Sequence, residues 1–215
     1  MANKVTLVNN KFDRGQKLCK TEPMKNAIQP RTLKTRAKLT GAAEALIADH
    51  GYDALRVDEV VKAAGVAKGT FFAHFKDKDA LMDLLIGAKI DGLLDDLAQQ
   101  PVPESTAELI AAMDPMMRFM TCERYVFDVI LRHSGAAMSD QIGPIANTFG
   151  RHLIVVADWL RDGPFRRDIS ALLMAEGVQA FLVQVMALHF CAIHSDVDMK
   201  DRLQVYLDAW LIPKG

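Results

Sequence analysis

A chain of 215 residues, half of them apolar, is long enough for one large domain or two small ones and can fill a core. Cys19, Cys122 and Cys191 are an odd, widely spaced set, which argues against a disulfide framework and for a reducing, cytoplasmic compartment. No run of about 18 apolar residues appears, so no membrane span is expected, and the first stretch lacks the apolar segment of a secretory signal. The net charge of -1 hides an uneven distribution. Residues 1–78 hold 15 Lys+Arg against 8 Asp+Glu, and residues 79–215 hold 11 against 19. Such asymmetry suggests that the first part meets a polyanion.

Residues 1–27 show no apolar period. They carry Lys4, Lys11, Arg14, Lys17, Lys20 and Lys25 against only Asp13 and Glu22, and read as a basic, disordered tail. A solvated extension and an arm reaching a DNA minor groove are both open readings of it. Residues 28–78 read as a small helical domain. A helix from Pro30 carries Leu39, Ala42, Ala43, Leu46 and Ile47 at helical spacing and stops at Gly51. Val57, Val60, Val61 and Ala64 make a short second helix, Gly65-Val66 a turn, and Ala67 to about Phe75 a third helix. Asp77 is an N-cap for a fourth helix running to about Ala98, before Pro101 and Pro103.

Residues 79–215 read as a second, larger unit. Helical segments are expected near 104–121, 123–134, 139–162, 167–194 and 198–212, the last capped by Asp198. No strand-like alternation or internal repeat stands out. The fold class is all-α, with about nine helices.

The segment from Ala64 to Leu81 has the layout of a helix-turn-helix. Gly65 closes one helix without a Cβ penalty, and Gly69 lets backbone approach a ligand closely. Lys68 and Lys78 are cationic, and Thr70 and His74 offer groups for phosphate oxygens. Arg36, the Ala42-Ala43 pair, Gly51, Ala64-Gly65-Val66, Lys68-Gly69-Thr70, His74-Phe75 and Lys78-x-x-Leu81 together resemble the tetracycline-repressor (TetR) family of transcription regulators. The resemblance covers roughly residues 31–85. It implies a DNA-binding head in which Lys68, Gly69, Phe72 and Ala73 face bases or the adjoining backbone, and Thr70, His74 and Lys78 meet phosphates. The chain departs from the family pattern at Arg56 and Ala67, where a Ser or Thr usually caps a helix, and at Phe72, where Tyr is usual. A lost cap typically costs about 1 kcal/mol. Arg56 and the basic tail add charge in place of the missing hydroxyls, so the affinity for DNA is expected to fall steeply with salt.

One such head reads only a few base pairs, and helix-turn-helix proteins usually pair two about 34–36 Å apart. Residues 171–193 are apolar on most faces, and the final helix has an apolar stripe. Phe181, Leu182, Val185, Leu203, Tyr206, Leu207 and Trp210 are therefore candidates for a homodimer interface, built as a four-helix bundle that the resemblance also implies.

The middle helices concentrate methionine, from Met113 to Met120 and on to Met138, a residue suited to adaptable binding surfaces. The resemblance implies an effector pocket there. Met113, Met117, Met120, Phe127, Phe149 and Trp159 are candidate lining residues for a small apolar or amphipathic ligand, with ordinary core filling as the plain alternative. Arg118, Arg124, Arg132, His133 and His152 are candidates to orient a polar or anionic group, or else surface residues. His189 and His194 do not share a helix face, so no metal site is expected, and no cofactor motif appears.

No catalytic constellation is assembled by the sequence, so the chain does not read as an enzyme. The reading is a homodimeric repressor that an effector releases from a palindromic DNA operator. An activator of the same family, and a helical protein-interaction module whose head has lost DNA binding, remain alternatives.

Overall fold

The computed structural model describes residues 30–135, 142–194 and 196–213. The basic tail and Met138 lie outside them. Among the described residues there are nine α-helices and no strand. Helices α1 (Pro30–His50), α2 (Val57–Ala64) and α3 (Lys68–His74) pack together, and α4 (Lys78–Ala98) leads from them into the rest of the chain. There follow α5 (Thr106–Met120), α6 (Arg124–Ser134), α7 (Pro144–Asp162), α8 (Ala171–His189) and α9 (Met199–Leu211). One apolar cluster runs from Leu39 in α1 to Leu211 in α9, so both ends of the described chain share a core.

Local chemistry explains where the helices begin. Asp77 accepts the Ala80 N–H at 2.8 Å, Ser105 the Glu108 N–H at 3.2 Å, Ser170 the Leu173 N–H at 3.2 Å and Asp198 the Lys200 N–H at 2.8 Å. Each satisfies a backbone donor that the first helical turn leaves open. Ser105 and Glu108 stand at capping-box spacing, and the Glu108 carboxylate turns back to the Glu104 N–H at 2.9 Å. The Ser170 cap also explains why α8 starts at Ala171 and not at the expected residue 167. Helix α7 starts at Pro144, where a missing N–H costs nothing.

Helices α4 and α7 pack closely against each other. A Cβ on Gly87 would lie 2.6 Å from the Pro144 Cβ and 2.9 Å from the Pro144 carbonyl carbon, so only glycine permits this approach. Beside it, the buried carboxylate of Asp83 accepts the Ile145 N–H at 3.0 Å. A carboxylate from one helix thus satisfies the N-terminus of the other, with the favourable dipole alignment of that position.

Helix α8 is strongly apolar. Its mean hydropathy of 1.7 makes it long and apolar enough to cross a membrane by length and composition. Glu176, Gln179 and Gln184 interrupt its apolar run. In the fold α8 packs against α7 and α9.

Candidate functional site

Helix α3 is only seven residues long and has no side-chain cap at either end. A helix that short does not persist on its own hydrogen bonds, so tertiary packing holds it. Phe71 and Phe75 are buried with ring centroids 5.5 Å apart. The Arg36 guanidinium lies 4.6 Å from the Phe75 ring centroid, and its Nη1 donates to the His74 carbonyl at 3.2 Å. The aromatic end is thereby fastened to α1. At the other end Gly65 adopts φ 64°, and the Val66 N–H returns to the Val61 carbonyl at 3.0 Å, closing α2 with a left-handed residue.

This fastening leaves a bare face. Ala67, Lys68, Gly69, Phe72 and Ala73 are exposed, with Phe72 at 49 % despite its aromatic ring. Thr70 and His74 are half-buried at the edges. The Lys68 ammonium pairs with Asp58 at 2.7 Å, both side chains being well exposed, so the pair is a weak competitor for a phosphate. Arg56 and Ala67 occupy the N-caps of α2 and α3 without a side-chain cap bond. Asp58 and Glu59 in the first turn of α2 supply part of what the cap does not.

The other two candidate DNA-contacting cations are also engaged within the protein. Lys78 donates to the Asp53 carbonyl at 3.2 Å and lies 4.5 Å from the Tyr125 ring centroid. Burial, and then the charge of Arg56, push its pKa down. Arg56 donates to the same Asp53 carbonyl at 3.2 Å. The turn between α1 and α2 is held from the other side by Glu123. Its Oε1 accepts the Tyr52 N–H at 2.8 Å and its Oε2 the Asp53 N–H at 3.0 Å. A Cβ on Gly51, which has φ 84°, would sit 2.7 Å from that Oε1. The Tyr52 ring meets Phe119 edge-on at 6.0 Å. Burial pushes the hydroxyls of Tyr52 and Tyr125 up to about 12, so both stay protonated at neutral pH. Phe119, Glu123 and Tyr125 together form a joint between the α5–α6 region and the head, which the sequence did not reveal.

Helices α4, α5, α7 and α8 surround an apolar cleft. Met117, Met120 and Phe149 line it, as do Met116, Ile90, Leu182, Val183 and Met186. Its volume of about 20 Å³ suits a single water, and methionines form most of one wall. Met113, Phe127 and Trp159 are not brought to it: all three are buried elsewhere in the core, Phe127 against Phe190 at 5.6 Å between ring centroids. Helical periodicity identified these residues as interior without saying which neighbour they face. Of the candidate polar groups, Arg118, Arg124 and Arg132 pair with Asp114, Asp128 and Asp79, and His133 lies 3.8 Å from Asp83. His152 differs. It is buried at the cleft beside Thr148 and Gln179, the polar residues there.

The candidate interface residues divide in two. Leu182, Val185, Leu203 and Leu207 are buried within the protomer. Phe181, Tyr206 and Trp210 form a half-buried aromatic group joining α8 to α9, with Phe181 at 5.3 Å from Tyr206 and 6.1 Å from Trp210. The Trp210 indole lies across Gly177 and donates to the Met174 carbonyl at 3.1 Å. The apolar residues left uncovered on these two helices include Leu172, Leu173 and Val205.

Residues 39–85 match the family model described as bacterial regulatory proteins, tetR family. Among curated proteins of Bacillus subtilis (strain 168), an uncharacterized HTH-type transcriptional regulator, YvdT, is 27 % identical over 103 residues, 47 % of this chain and 52 % of that protein. The fatty acid metabolism regulator protein of the same organism is 30 % identical over 71 residues, 33 % of this chain and 37 % of that protein. These matches span about half or less of the relatives' length. Among solved structures, Thermus thermophilus FadR, a TetR-family repressor in complex with lauroyl-CoA, matches with a TM-score of 0.58 at 19 % identity, over 84 % of this chain and 97 % of that one. A complex of SmeT with triclosan matches with a TM-score of 0.55 at 19 % identity, over 85 % and 93 %. At these identities the structural likeness establishes the fold, and the head carries the family assignment. Residues 39–85 are thus similar to the helix-turn-helix segment of tetR-family bacterial regulatory proteins, and the described chain has the fold of these solved structures.

Proposed function

We propose that the chain is a cytoplasmic, homodimeric repressor that binds a palindromic operator through α3 and is released by a small apolar or amphipathic effector in the cleft. The observation that carries this reading is the arrangement of α3: its aromatic side is locked into the core while Lys68, Gly69, Phe72 and Ala73 stand bare. In the proposed complex this face meets the major groove, with Thr70, His74 and Arg56 at flanking phosphates. Lys78 joins them only by leaving the Asp53 carbonyl. Residues 28–78 act as the head, and residues 79–215 as the effector-binding and dimerising unit.

The cleft is adjacent to α5, whose far end leads into the Glu123 joint, so a change in the cleft has a short covalent route to the head. An effector acts through its difference in affinity between two states, and by linkage the operator must weaken effector binding equally. The complexes of FadR with lauroyl-CoA and of SmeT with triclosan are consistent with an apolar effector in this fold.

The test is a paired substitution, Lys68→Ala with His74→Ala. Operator binding by the dimer is expected to drop by at least a hundredfold, with the dimer intact in sedimentation. Unchanged binding removes the assigned interface. The missing caps at Arg56 and Ala67 favour one other reading, a protein-interaction module that no longer binds DNA. A failure of the unmodified chain to select any DNA sequence from a random pool supports it. An activator role is separated from repression by reporter output on deletion.

A further inference from the structure

The cleft has one chemically distinct end. His152 on α7 is only 4 % exposed. Its Nδ1 lies 3.2 Å from the Gln179 Oε1 on α8, and its Nε2 is buried without a partner. An amide oxygen only accepts, so Nδ1 carries the ring hydrogen and Nε2 presents a lone pair. Thr148 cannot supply the missing donor, because its hydroxyl donates to the Ile145 carbonyl at 2.7 Å. The residues lining the cleft from α4, α5 and α8 carry no charge, and His152 is the one titratable group from α7. A buried acceptor of this kind is uncommon in folded proteins and calls for a donor from outside the chain, a water or a ligand group that displaces it.

Resting on the reading of the cleft as an effector site, we propose that the effector is an uncharged amphipathic molecule bearing a hydroxyl, which donates to His152 Nε2 while its apolar part displaces Met116, Met117, Met120 and Met186. The lining sets each part of this. The methionines and Leu182 offer no partner to polar atoms, so the body of the ligand is apolar. Their unbranched, flexible side chains allow a cleft that now suits a water to widen without breaking the helices. A carboxylate would face the Nε2 lone pair with no cation nearby, and would need the buried ring to take up a proton. A hydroxyl meets the lone pair directly. A site built around such a bond rejects an analogue lacking the donor far more strongly than one differing by a methylene.

The experiment is calorimetry on the full-length chain with 4-alkylphenols from ethyl to octyl and the matching 4-alkylanisoles, which keep the shape and lose the donor. The best-fitting phenol is expected to bind at least tenfold tighter than its methyl ether at about pH 7.5. The preference should vanish in His152→Phe and shrink in Gln179→Leu, which frees the ring to reverse its tautomer. Circular dichroism establishes that each variant is folded; if His152→Phe is not, the wild-type ratio and Gln179→Leu decide. Equal binding of phenol and ether overturns the proposal and leaves the effector site standing. So does a 4-alkylbenzoate that outcompetes the phenols and tightens as pH falls toward about 5.5. If no phenol, ether or benzoate binds, the hydroxyl proposal fails, and effector binding in this cleft loses its support with it.

Discussion

His152 shows how one residue links stability to the proposed site. Burial pushes its pKa down to about 4, and the hydrogen bond to Gln179 opposes that shift only in part. The folded state therefore holds a neutral ring between pH 4 and 6.5, where the unfolded chain takes up a proton. Because the unfolded state binds more protons there, the contribution is intact above about pH 6.5 and is lost as pH falls toward 4. The loss should reach about 3 kcal/mol. Urea denaturation across this range should show it, and His152→Phe should flatten the part of the pH dependence that His152 contributes. An unchanged slope in the variant would mean that His152 is not the group responsible. Gly177 makes a steric point at the same scale. Its hydrogen stands where the Trp210 indole needs room, so Gly177→Ala forces the indole off the Met174 carbonyl. A destabilisation of about 1–3 kcal/mol is expected by thermal unfolding, in the range of overpacked cores.

Among the elements, α5 has a position that its sequence alone did not signal. Its Met116, Met117 and Met120 line the cleft, and the chain just beyond it delivers Glu123 to the α1–α2 turn. The Asp114 carboxylate on the same helix takes Arg118 at 2.7 Å and Lys200 of α9 at 3.0 Å. Burial alone would raise the Asp114 pKa, but these two bonds lower it. Helix α5 is therefore tied to α9 near its middle and to the head beyond its end. In Glu123→Ala the amides of Tyr52 and Asp53 lose their acceptor, at a local cost of about 1–3 kcal/mol. Hydrogen exchange at those two amides should accelerate roughly tenfold or more, the corresponding change in an opening equilibrium. Effector affinity should stay within a few-fold while the effector's influence on DNA binding shrinks. Equal coupling in the variant and the parent would remove α5 and Glu123 from the proposed route.

For the whole molecule, the proposal depends on two surfaces placed far apart in the sequence. The bare face of α3 belongs to the part of the chain with a surplus of 15 Lys+Arg over 8 Asp+Glu, and the uncovered faces of α8 and α9 belong to the acidic remainder. Affinity for the operator should fall steeply with salt, by about a thousandfold or more between 50 and 200 mM if six or more phosphates are engaged. A nearly flat salt profile would argue against a charge-led interface. The dimer is tested by contrasting positions on one helix. Val205 is exposed on α9 and Leu207 is buried inside the protomer. Val205→Asp should yield a folded monomer in sedimentation equilibrium, whereas Leu207→Asp should unfold the chain. A Val205→Asp variant that remains a dimer would place the interface elsewhere.

The sequence by itself determined the all-helical class, most helix starts and the family of the head. These are local properties: capping side chains at Asp77 and Asp198, helical apolar spacing, and the Gly65 turn. The family resemblance also implied Lys68, Gly69, Phe72 and Ala73 as candidates, and the structure leaves all four exposed because Phe71 and Phe75 turn the rest of the short helix inward. Only the tertiary structure decided which interior residues face one another. It separated Met117, Met120 and Phe149 from Met113, Phe127 and Trp159, and it placed Leu203 and Leu207 inside the protomer while leaving Val205 open. It brought Glu123 to Tyr52 and Asp53, and His152 to Gln179 across the cleft. An apolar stripe records that a side chain is shielded from water, but its partner is fixed by helix crossings between residues distant in the chain. That information resides in the packing of the whole.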